Sequence, residues 1–502
     1  MVSFYTKFDN KKNIKIMNEH LDNLEPKAVF EQFKPILSIP RPSKKEDKMS
    51  AYLKQWGESH NLETIVDKVG NVIIRKPATK GMEDRKMVCL QSHMDMVCEK
   101  NSDKVFDFEK DAIETYVEDG WLKAKGTTLG ADDGIGVATA LAILASNDIP
   151  HPDLECLFTI DEETGLTGAF NLGNDVLKSR ILINLDSEDE GEMFIGCAGG
   201  VDTLGYMPIT MEPACQKAMP YLLHIKGLKG GHSGDDINKG LACANKLFTR
   251  IFWKLNTECK IKLCNIEGGN LRNAIAREAK VWFMVNPNDE QRMLQIVKEM
   301  TESIQFEFRT TEPNLNITIE KTDRPQTMMT REDATRLLNC LYAIPHGVLA
   351  MSREIPNFVE TSTNLASVKI KENEVHIVTS QRSSVESALE AAKTRVEACM
   401  LLGGCRVEHT DGYPGWTPNT DSEILDVVVK SYERLFGKKP IVRAIHAGLE
   451  CGLIGKKYPG MDMISFGPTL RGVHSPDEKM DIHTLEMFWQ HTLDILKNIP
   501  KK

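Results

Sequence analysis

Histidine and carboxylate side chains, the types that bind divalent metal ions, follow several short apolar segments of this chain. His93 and Asp95 follow the run MVCLQ, Asp132 lies in LGADDGIG, Glu163 lies in FTIDEETG and Asp186 lies in ILINLDSED. One histidine and several carboxylates, with no cysteine among them, favour a divalent ion held by nitrogen and oxygen ligands. A divalent ion in such a site activates water, so hydrolysis is the natural chemistry.

A second histidine completes this set from a distant part of the chain. His474 lies in GPTLRGVHSPDE, again after a strand-like segment and a Gly-Pro turn. If it returns to the same sheet, five ligands are available: His93, Asp132, Glu163, Asp186 and His474. Asp132 is then able to give one oxygen to each of two zinc ions, roughly 3.5–4 Å apart.

Two further carboxylates are predicted to assist these ligands. Glu162 is adjacent to Glu163 but points elsewhere in the backbone alternation, which favours it as the general base and acid. Asp95 lies two residues after His93 on the same face of an extended chain. Its carboxylate is therefore expected to accept the ring N–H of His93 and fix its tautomer.

The elements that must position these residues have the pattern of an open α/β sheet. Apolar runs at residues 88–90, 155–160 and 181–185 predict central strands, and residues 134–145 predict a buried helix. Because open α/β sheets bind ligands at the carboxyl ends of their strands, residues following these strands are expected to meet there. Residues 26–38 also predict a helix, and Ser43 with Glu46 predicts a capping box opening a helix over residues 44–60.

The middle of the chain has a different pattern, in which alternating strands and amphipathic helices predict an α+β domain with helices on one face of an antiparallel sheet. We expect a catalytic domain formed by residues 1–199 and 403–502, with residues 200–402 inserted as a lid and dimerisation domain. The fold class expected is α/β, with a mixed central sheet flanked by helices and an inserted α+β lid.

Composition excludes several other classes of protein. With 502 residues, 41% hydrophobic and 27% charged, the chain has the composition of a globular protein of at least two domains. A net charge of −10 gives no overall attraction to nucleic acid or anionic lipid. The 12 cysteines form no CxxC pair, and the sequence shows neither a secretory signal nor a membrane span. These features favour free thiols and a cytoplasmic protein that binds neither nucleic acid nor membrane.

Nine motifs, in order, resemble the cytosolic non-specific dipeptidases of bacteria, also called aminoacyl-histidine dipeptidases, of the di-zinc aminoacylase and carboxypeptidase superfamily. They are HMD, LGADDGIG, DEETG, LINLDSED, KGLKGGHSG, GGNLRNAIARE, GYPGW, HAGLECGL and GPTLRGVHSPDE. The resemblance runs from about Pro26 to the C-terminus and leaves out the polar N-terminal stretch.

The resemblance assigns the ligands to two ions. It implies that Asp132, Glu163 and His474 bind one zinc while Asp132, His93 and Asp186 bind the other, with Mn²⁺ or Co²⁺ as possible substitutes. It also implies a cis peptide bond after Asp132. An aspartate at position 186 resembles the aminopeptidase and dipeptidase members, which favours a substrate with a free amine.

For the inserted domain, the resemblance implies residues that bind substrate. His232 resembles the histidine that stabilises the oxyanion, often in the active site of the other subunit, so a homodimer is expected. Asn273 and Arg382 match positions that hold the C-terminal carboxylate of the substrate, and a guanidinium suits that task. His446 and Glu450 are expected to line or support the pocket.

The sequence thus predicts a di-zinc dipeptidase of broad specificity, with Xaa-His dipeptides among the candidate substrates. An aminoacylase, a carboxypeptidase or a tripeptide aminopeptidase on the same fold stays open as an alternative. So does an inactive metal-binding or scaffolding protein, although the presence of Glu162 argues against it. A metallophosphoesterase is a weaker alternative, since no phosphate loop accompanies the ligands.

Overall fold

The structure is a computed structural model that describes residues 18–502, so most of the polar N-terminal stretch lies outside the described residues. Its helices are α1 (Lys27–Ile36), α2 (Asp47–Ser59), α3 (Ala131–Ala145), α4 (Glu162–Gly165), α5 (Thr167–Asn171), α6 (Ala244–Glu258), α7 (Glu290–Glu307), α8 (Arg331–Ala343), α9 (Glu386–Leu402), α10 (Glu423–Phe436), α11 (Glu450–Lys457) and α12 (Ile482–Lys497). Short 3₁₀ helices cover Glu19–Asn23 and Pro287–Asp289.

The strands up to residue 213 are β1 (Glu63–Val66), β2 (Val72–Lys76), β3 (Val88–His93), β4 (Thr115–Glu118), β5 (Trp121–Ala124), β6 (Leu154–Thr159), β7 (Ile181–Asn184), β8 (Glu192–Cys197), β9 (Gly199–Pro208) and β10 (Met211–Pro213). The later strands are β11 (Met219–Lys226), β12 (Lys262–Gly268), β13 (Ala279–Val285), β14 (Asn316–Lys321), β15 (Thr327–Met329), β16 (Gly347–Met351), β17 (Val359–Lys371), β18 (Glu374–Ser383), β19 (Arg406–His409), β20 (Ile441–Ile445), β21 (Asp462–Ser465), β22 (Leu470–Arg471) and β23 (Lys479–Asp481).

The chain folds into two compact units. The first comprises the described residues up to Gly196 together with Pro418–Arg443 and Leu453–Lys502. The second comprises Cys197–Thr417 and Ala444–Gly452. The second unit is thus inserted into the first, and it includes a short segment near residue 450 in addition to the long insertion.

An eight-stranded mixed sheet forms the centre of the first unit, in the order β1-β2-β6-β3-β7-β21-β8-β20. Strands β6, β3, β7 and β21 are parallel, while β1 and β2 are antiparallel additions at one side. Every residue of β3, β6 and β7 is buried. That burial explains why apolar residues occupy consecutive positions in these strands, since a strand covered on both faces does not alternate between apolar and polar residues. The predicted mixed sheet is confirmed.

The predicted capping box at the start of α2 is wrong. The helix begins at Asp47, and no side-chain hydrogen bond caps it. Ser43 Oγ instead donates to Asp95 Oδ2 at 2.8 Å, and Glu46 Oε1 accepts from the backbone N–H of Asp161 at 2.9 Å. Tertiary contacts with the loops that follow β3 and β6 have taken the place of the local pattern.

The second unit contains an antiparallel sheet in the order β14-β11-β13-β12-β17-β18-β9-β19, with β16 paired to β17. Alternate residues of its strands, such as Leu223 and Ile225 on β11, enter one apolar core together with residues from α6, α7, α8 and α9. The helices therefore pack on one face of the sheet, as the alternating pattern predicted. Among the described residues, no helix combines the length and the apolar character needed to cross a lipid bilayer.

Candidate metal centre

The parallel strands of the first unit bring the predicted ligands to one edge of the sheet. His93 is the last residue of β3, directly beside Thr159 at the end of β6. Glu163 follows β6 at the start of α4, and Asp186 lies two residues after the end of β7. Because β3, β6 and β7 are parallel neighbours, their carboxyl ends lie side by side, and the residues that follow them converge.

His93 faces two of the predicted carboxylates. Its Nε2 lies 3.1 Å from Asp132 Oδ1 and 3.4 Å from Asp186 Oδ1. The His93 side chain is 1% exposed, and those of Asp132 and Asp186 are 11% and 10% exposed. These three residues form a group whose ligand atoms all lie within 4.8 Å of one another.

His474 faces the other oxygen of the same aspartate. Its Nε2 lies 3.2 Å from Asp132 Oδ2 and 2.9 Å from Glu163 Oε2. Asp132, Glu163 and His474 form a second group with ligand atoms within 4.8 Å. The two oxygens of Asp132 therefore point into two separate three-residue groups, which is the arrangement of a carboxylate that bridges two ions.

The electrostatics of the cluster favour cations. Hydrogen bonds with Asp132 and Glu163 raise the pKa of His474 to about 11. Burial lowers the pKa of His93, but the carboxylates of Asp186 and Asp132 outweigh it and hold that pKa well above its ordinary value. Burial raises the pKa of Asp186 to about 7. These pKa shifts show that the crowded carboxylates favour positive charge at this position.

The donor atoms fit a pair of divalent ions. Glu163 Oε1 is buried without a hydrogen-bond partner among the described residues, so one oxygen of a nearly buried carboxylate is available to a cation. The donors of both groups are imidazole nitrogens and carboxylate oxygens, a set that suits zinc, manganese or cobalt. These residues could hold two ions that share Asp132.

Asp95 connects the two ligand loops. Its Oδ1 lies 3.3 Å from His93 Nδ1, an ionic contact rather than an aligned hydrogen bond. The same carboxylate accepts hydrogen bonds from the backbone N–H groups of Glu162 at 3.0 Å and Glu163 at 3.3 Å. Burial raises the pKa of Asp95, but His93, the Ser43 hydroxyl and the backbone N–H of Glu162 lower it by more, so the net shift is downward.

Glu162 lies close enough to the ligands to act on water between them. Its carboxylate forms a third group of potential ligands with His93 and Glu163, again with donor atoms within 4.8 Å. Proximity by itself therefore agrees with a general base and also with a metal ligand. Its role as a base stays a prediction, which metal content and kcat measured on the same variant would decide.

The loop at the start of α3 separates two neighbouring aspartates. The peptide bond between Asp132 and Asp133 is cis, as the resemblance implied. Asp133 Oδ1 accepts the backbone N–H of Gly136 at 3.1 Å, so Asp133 rather than Asp132 caps the regular part of the helix. Asp132, with non-helical dihedral angles, directs its carboxylate to the two histidines.

Comparison with known proteins agrees with this geometry. A family model described as peptidase family M20/M25/M40 matches residues 89–498. The chain belongs to this family. A relative in Escherichia coli (strain K12), the cytosol non-specific dipeptidase, is 41% identical over 482 residues, which cover 96% of this chain and 99% of the relative.

Two solved structures have a similar fold. The aminoacylhistidine dipeptidase of Vibrio alginolyticus matches with a TM-score of 0.91 and 42% identity, over 96% of this chain and 98% of that chain. The aminopeptidase PepT of Bacillus cereus ATCC 10987 matches with a TM-score of 0.55 and 16% identity, over 95% and 99% of the two chains. At that identity the second match concerns the fold alone.

The predicted substrate-binding residues of this M20 peptidase lie in its second unit. Ser233, which directly follows His232, connects that residue to Asn273 and Arg382. Its backbone N–H donates to Asn273 O at 2.8 Å, and its Oγ accepts from Arg382 Nε at 3.3 Å. Arg382 is 7% exposed, and its Nη1 also donates to Tyr413 Oη at 2.9 Å. A buried guanidinium with few partners is suited to bind an anion.

The remaining two predicted residues lie nearby in the same unit. His446 is 6% exposed, and its Nε2 lies 2.7 Å from Ser362 Oγ. Burial, with the positive charge of Arg382, lowers the pKa of His446 to about 3, so its ring is neutral. Glu450 is fully buried at the start of α11. The structure thus places His446 near Arg382. The roles of His446 and Glu450 in substrate binding stay predictions.

Sequence reasoning missed two buried charged residues beside the metal ligands. Arg41 and Glu478 both contact the loop Leu129–Asp132 through its backbone atoms. Two features of the sequence are related to these contacts. Glu478 lies inside the motif GPTLRGVHSPDE, and the glycines of LGADDGIG are typical of a backbone against which another group packs closely. No local sequence pattern identified Arg41 or Glu478 as the residues that contact this loop.

Proposed function

We propose that this protein is a di-zinc dipeptidase, which hydrolyses the peptide bond of dipeptides that carry free amino and carboxyl termini. The observation that carries the proposal is the placement of Asp132, whose two oxygens face His93 and His474 in separate ligand groups. A dipeptidase of Escherichia coli that is 41% identical over 96% of the chain supports the choice of substrate.

We assign the five ligands to the two ions as the distances group them. His93, Asp132 and Asp186 would hold one ion, and Asp132, Glu163 and His474 would hold the other. Two bound zinc ions supply the polarisation of the scissile carbonyl and the acidification of water at this site. The remaining steps are carried by side chains of the chain itself.

Glu162 is proposed to move the proton. Its backbone is fixed by the hydrogen bond from its N–H to Asp95 Oδ1 at 3.0 Å, and its carboxylate lies near the ligand atoms of His93 and Glu163. A carboxylate so placed could act as a general base toward a water held between the two groups. It takes the proton of the attacking water and returns it to the amine that leaves.

The second unit is proposed to act as a lid that binds the rest of the substrate. Arg382 and Asn273 would bind the C-terminal carboxylate, which limits the substrate to short peptides, and His232 would stabilise the developing oxyanion. His446 and Glu450 would support this pocket. We further propose that the protein is a cytoplasmic homodimer, in which His232 serves the partner subunit's site.

The range of side chains accepted is a second part of the proposal. The solved relative from Vibrio alginolyticus bears the name aminoacylhistidine dipeptidase and is 42% identical over 96% of this chain. We therefore include Xaa-His dipeptides among the proposed substrates. Asp186 supports a substrate with a free amine in preference to an N-acylated amino acid.

The test is a substrate panel with protein of defined metal content. Protein loaded with two equivalents of zinc is incubated with free dipeptides, Xaa-His dipeptides, N-acetyl amino acids, tripeptides and C-terminally amidated dipeptides. The proposal expects fast cleavage of the free dipeptides, including the Xaa-His dipeptides, and of no other substrate in the panel. Preferential cleavage of N-acetyl amino acids or of tripeptides would assign the protein to another activity of the same fold, and inertness toward all substrates would identify an inactive metal-binding protein.

A further inference from the structure

A buried carboxylate fixes the loop that carries the shared metal ligand. Glu478 is 2% exposed, and its two oxygens accept hydrogen bonds from four successive backbone N–H groups. Oε2 accepts from Leu129 at 2.7 Å and Gly130 at 2.9 Å, and Oε1 accepts from Ala131 at 2.8 Å and Asp132 at 3.3 Å. One carboxylate thereby determines the path of the backbone up to Asp132.

A buried guanidinium fixes the same loop from its carbonyl side. Arg41 is 2% exposed, and its Nη2 donates to the carbonyl oxygen of Gly130. Its Nη1 donates to the carbonyl oxygens of Met94 at 3.1 Å and Asp95. Arg41 therefore connects the loop after β3, which follows His93, to the loop that precedes Asp132.

Two glycines make room for this guanidinium. A Cβ at Gly130 would lie 2.6 Å from Arg41 Nη2, and a Cβ at Gly134 would also lie 2.6 Å from that atom. Gly130 has a positive φ of 69°, a backbone conformation that itself favours glycine. Gly134 has a helical backbone, so its conformation does not require glycine. The space for Arg41 explains the glycine at position 134.

Together the two residues connect three loops that carry metal ligands. Arg41 joins the segment after His93 to the segment before Asp132, and Glu478 joins that second segment to its own loop, four residues after His474. We infer that Arg41 and Glu478 are positioning residues of the proposed di-metal centre, which hold His93, Asp132 and His474 at the separation that two ions require. This inference rests on the proposed function and adds residues that do not touch an ion.

The inference makes metal affinity, rather than activity, the quantity to measure. Glu478→Gln keeps the shape of the side chain but replaces one carboxylate oxygen by an NH₂ group. That NH₂ group must face two of the four backbone N–H groups, which then lose their hydrogen-bond acceptor. Because residues that orient metal ligands typically contribute 10- to 100-fold in affinity, we expect zinc or cobalt to bind roughly 10- to 100-fold more weakly. Competition with a chelator and the visible spectrum of bound Co²⁺ would measure the affinity and the ligand geometry.

A second variant reaches Arg41 without changing any polar group. Gly134→Ala places a methyl group against Arg41 Nη2 at a position where alanine otherwise favours the helix. It should displace the guanidinium and weaken metal binding in the same direction as Glu478→Gln. It also keeps the inference testable if Glu478→Gln does not fold.

Glu155→Gln is the matched control. Glu155 is also fully buried in the first unit, accepts from the backbone N–H groups of Lys178 and Ser179 at 2.9 Å each, and contacts Arg75 Nε at 2.9 Å. It should lower the unfolding temperature as Glu478→Gln does, because both leave buried N–H groups unpaired, but it should leave metal affinity unchanged.

The outcomes separate this inference from the proposed function. Weaker metal binding in Glu478→Gln and Gly134→Ala, with unchanged binding in Glu155→Gln, supports the positioning role. Affinity equal to that of the wild type in both variants would overturn it while leaving the dipeptidase intact, as would an equal loss in Glu155→Gln. Wild-type protein that binds no divalent ion would overturn the proposed function itself, and the inference with it.

Discussion

Glu162→Gln is the substitution that best separates chemistry from metal binding. The glutamine keeps the size of the side chain and the backbone N–H bond to Asp95 Oδ1 at 3.0 Å, so the loop should keep its path. What is lost is the ability to accept a proton from water. General acid–base catalysis typically contributes 10²- to 10⁴-fold, so we expect kcat to fall by that factor, or about 3 to 5 kcal/mol in activation free energy.

The assay needs metal content and kinetics on the same samples. Zinc is measured by atomic emission after gel filtration, and kcat and KM are measured on one free dipeptide. Glu162→Gln should retain two zinc ions per chain and a nearly unchanged KM. Glu163→Gln is the matched control, because the same change one residue later removes a predicted ligand and should lower the zinc content instead.

Two results would refute this reasoning. Because the Glu162 carboxylate lies within 4.8 Å of the His93 and Glu163 donor atoms, a loss of zinc in Glu162→Gln would make it a ligand. Retained zinc with near-normal kcat would exclude it as the base and require another group to move the proton.

Three other predictions concern His232, the pH dependence of metal binding and the buried His491. His232→Ala should lower kcat by roughly 10²- to 10³-fold with a smaller change in KM, as loss of an oxyanion donor does, and an unchanged kcat in steady-state assays would remove that role. Metal affinity should rise with pH between 6 and 7, because the carboxylates of Asp132 and Glu163 raise the pKa of His474 and the imidazole binds a metal ion only in its deprotonated form. Binding of Co²⁺ that does not depend on pH in titration calorimetry would contradict this. Burial lowers the pKa of His491 to about 4, so the unfolded chain binds the extra proton first as pH falls below about 6.5. Urea denaturation of the metal-free protein should show about 2 kcal/mol of stability lost from this group between pH 6.5 and 5, a loss that His491→Gln should not show.

Much of the central sheet could be predicted from the sequence because burial on both faces leaves a direct record in the residue pattern. The runs at residues 88–90, 155–160 and 181–185 correspond to β3, β6 and β7. Each is followed within three residues by a side chain of the cluster, and their parallel pairing brings those side chains together. The metal-binding cluster could therefore be predicted from the positions of its residues after parallel strands.

Elements held by tertiary contacts were harder to predict. Ser43 and Glu46 have the spacing of a capping box, yet both side chains bind distant loops. In contrast, the Thr330 side chain accepts the N–H of Asp333 and caps α8, so a local capping pattern does correspond to a helix start there. A local capping pattern therefore predicts a helix start only where no distant group forms hydrogen bonds with the same side chains.

The residues that position the ligands left the weakest signal. Arg41 reaches Gly130 across 89 positions of the chain, and Glu478 reaches Ala131 across 347. Single polar contacts over such separations have no periodicity, so no window of sequence reveals them. The partner is visible only indirectly, in the glycine at position 134 that a side chain would otherwise occupy.

The central claim is that two ions share the carboxylate of Asp132. Its most direct test is an anomalous difference map from crystals of the zinc-loaded protein, measured on both sides of the zinc absorption edge. The account predicts two peaks roughly 3.5 to 4 Å apart, one beside His93 and Asp186 and the other beside Glu163 and His474, with an Asp132 oxygen on each. A single peak, or zinc bound away from Asp132, would contradict it.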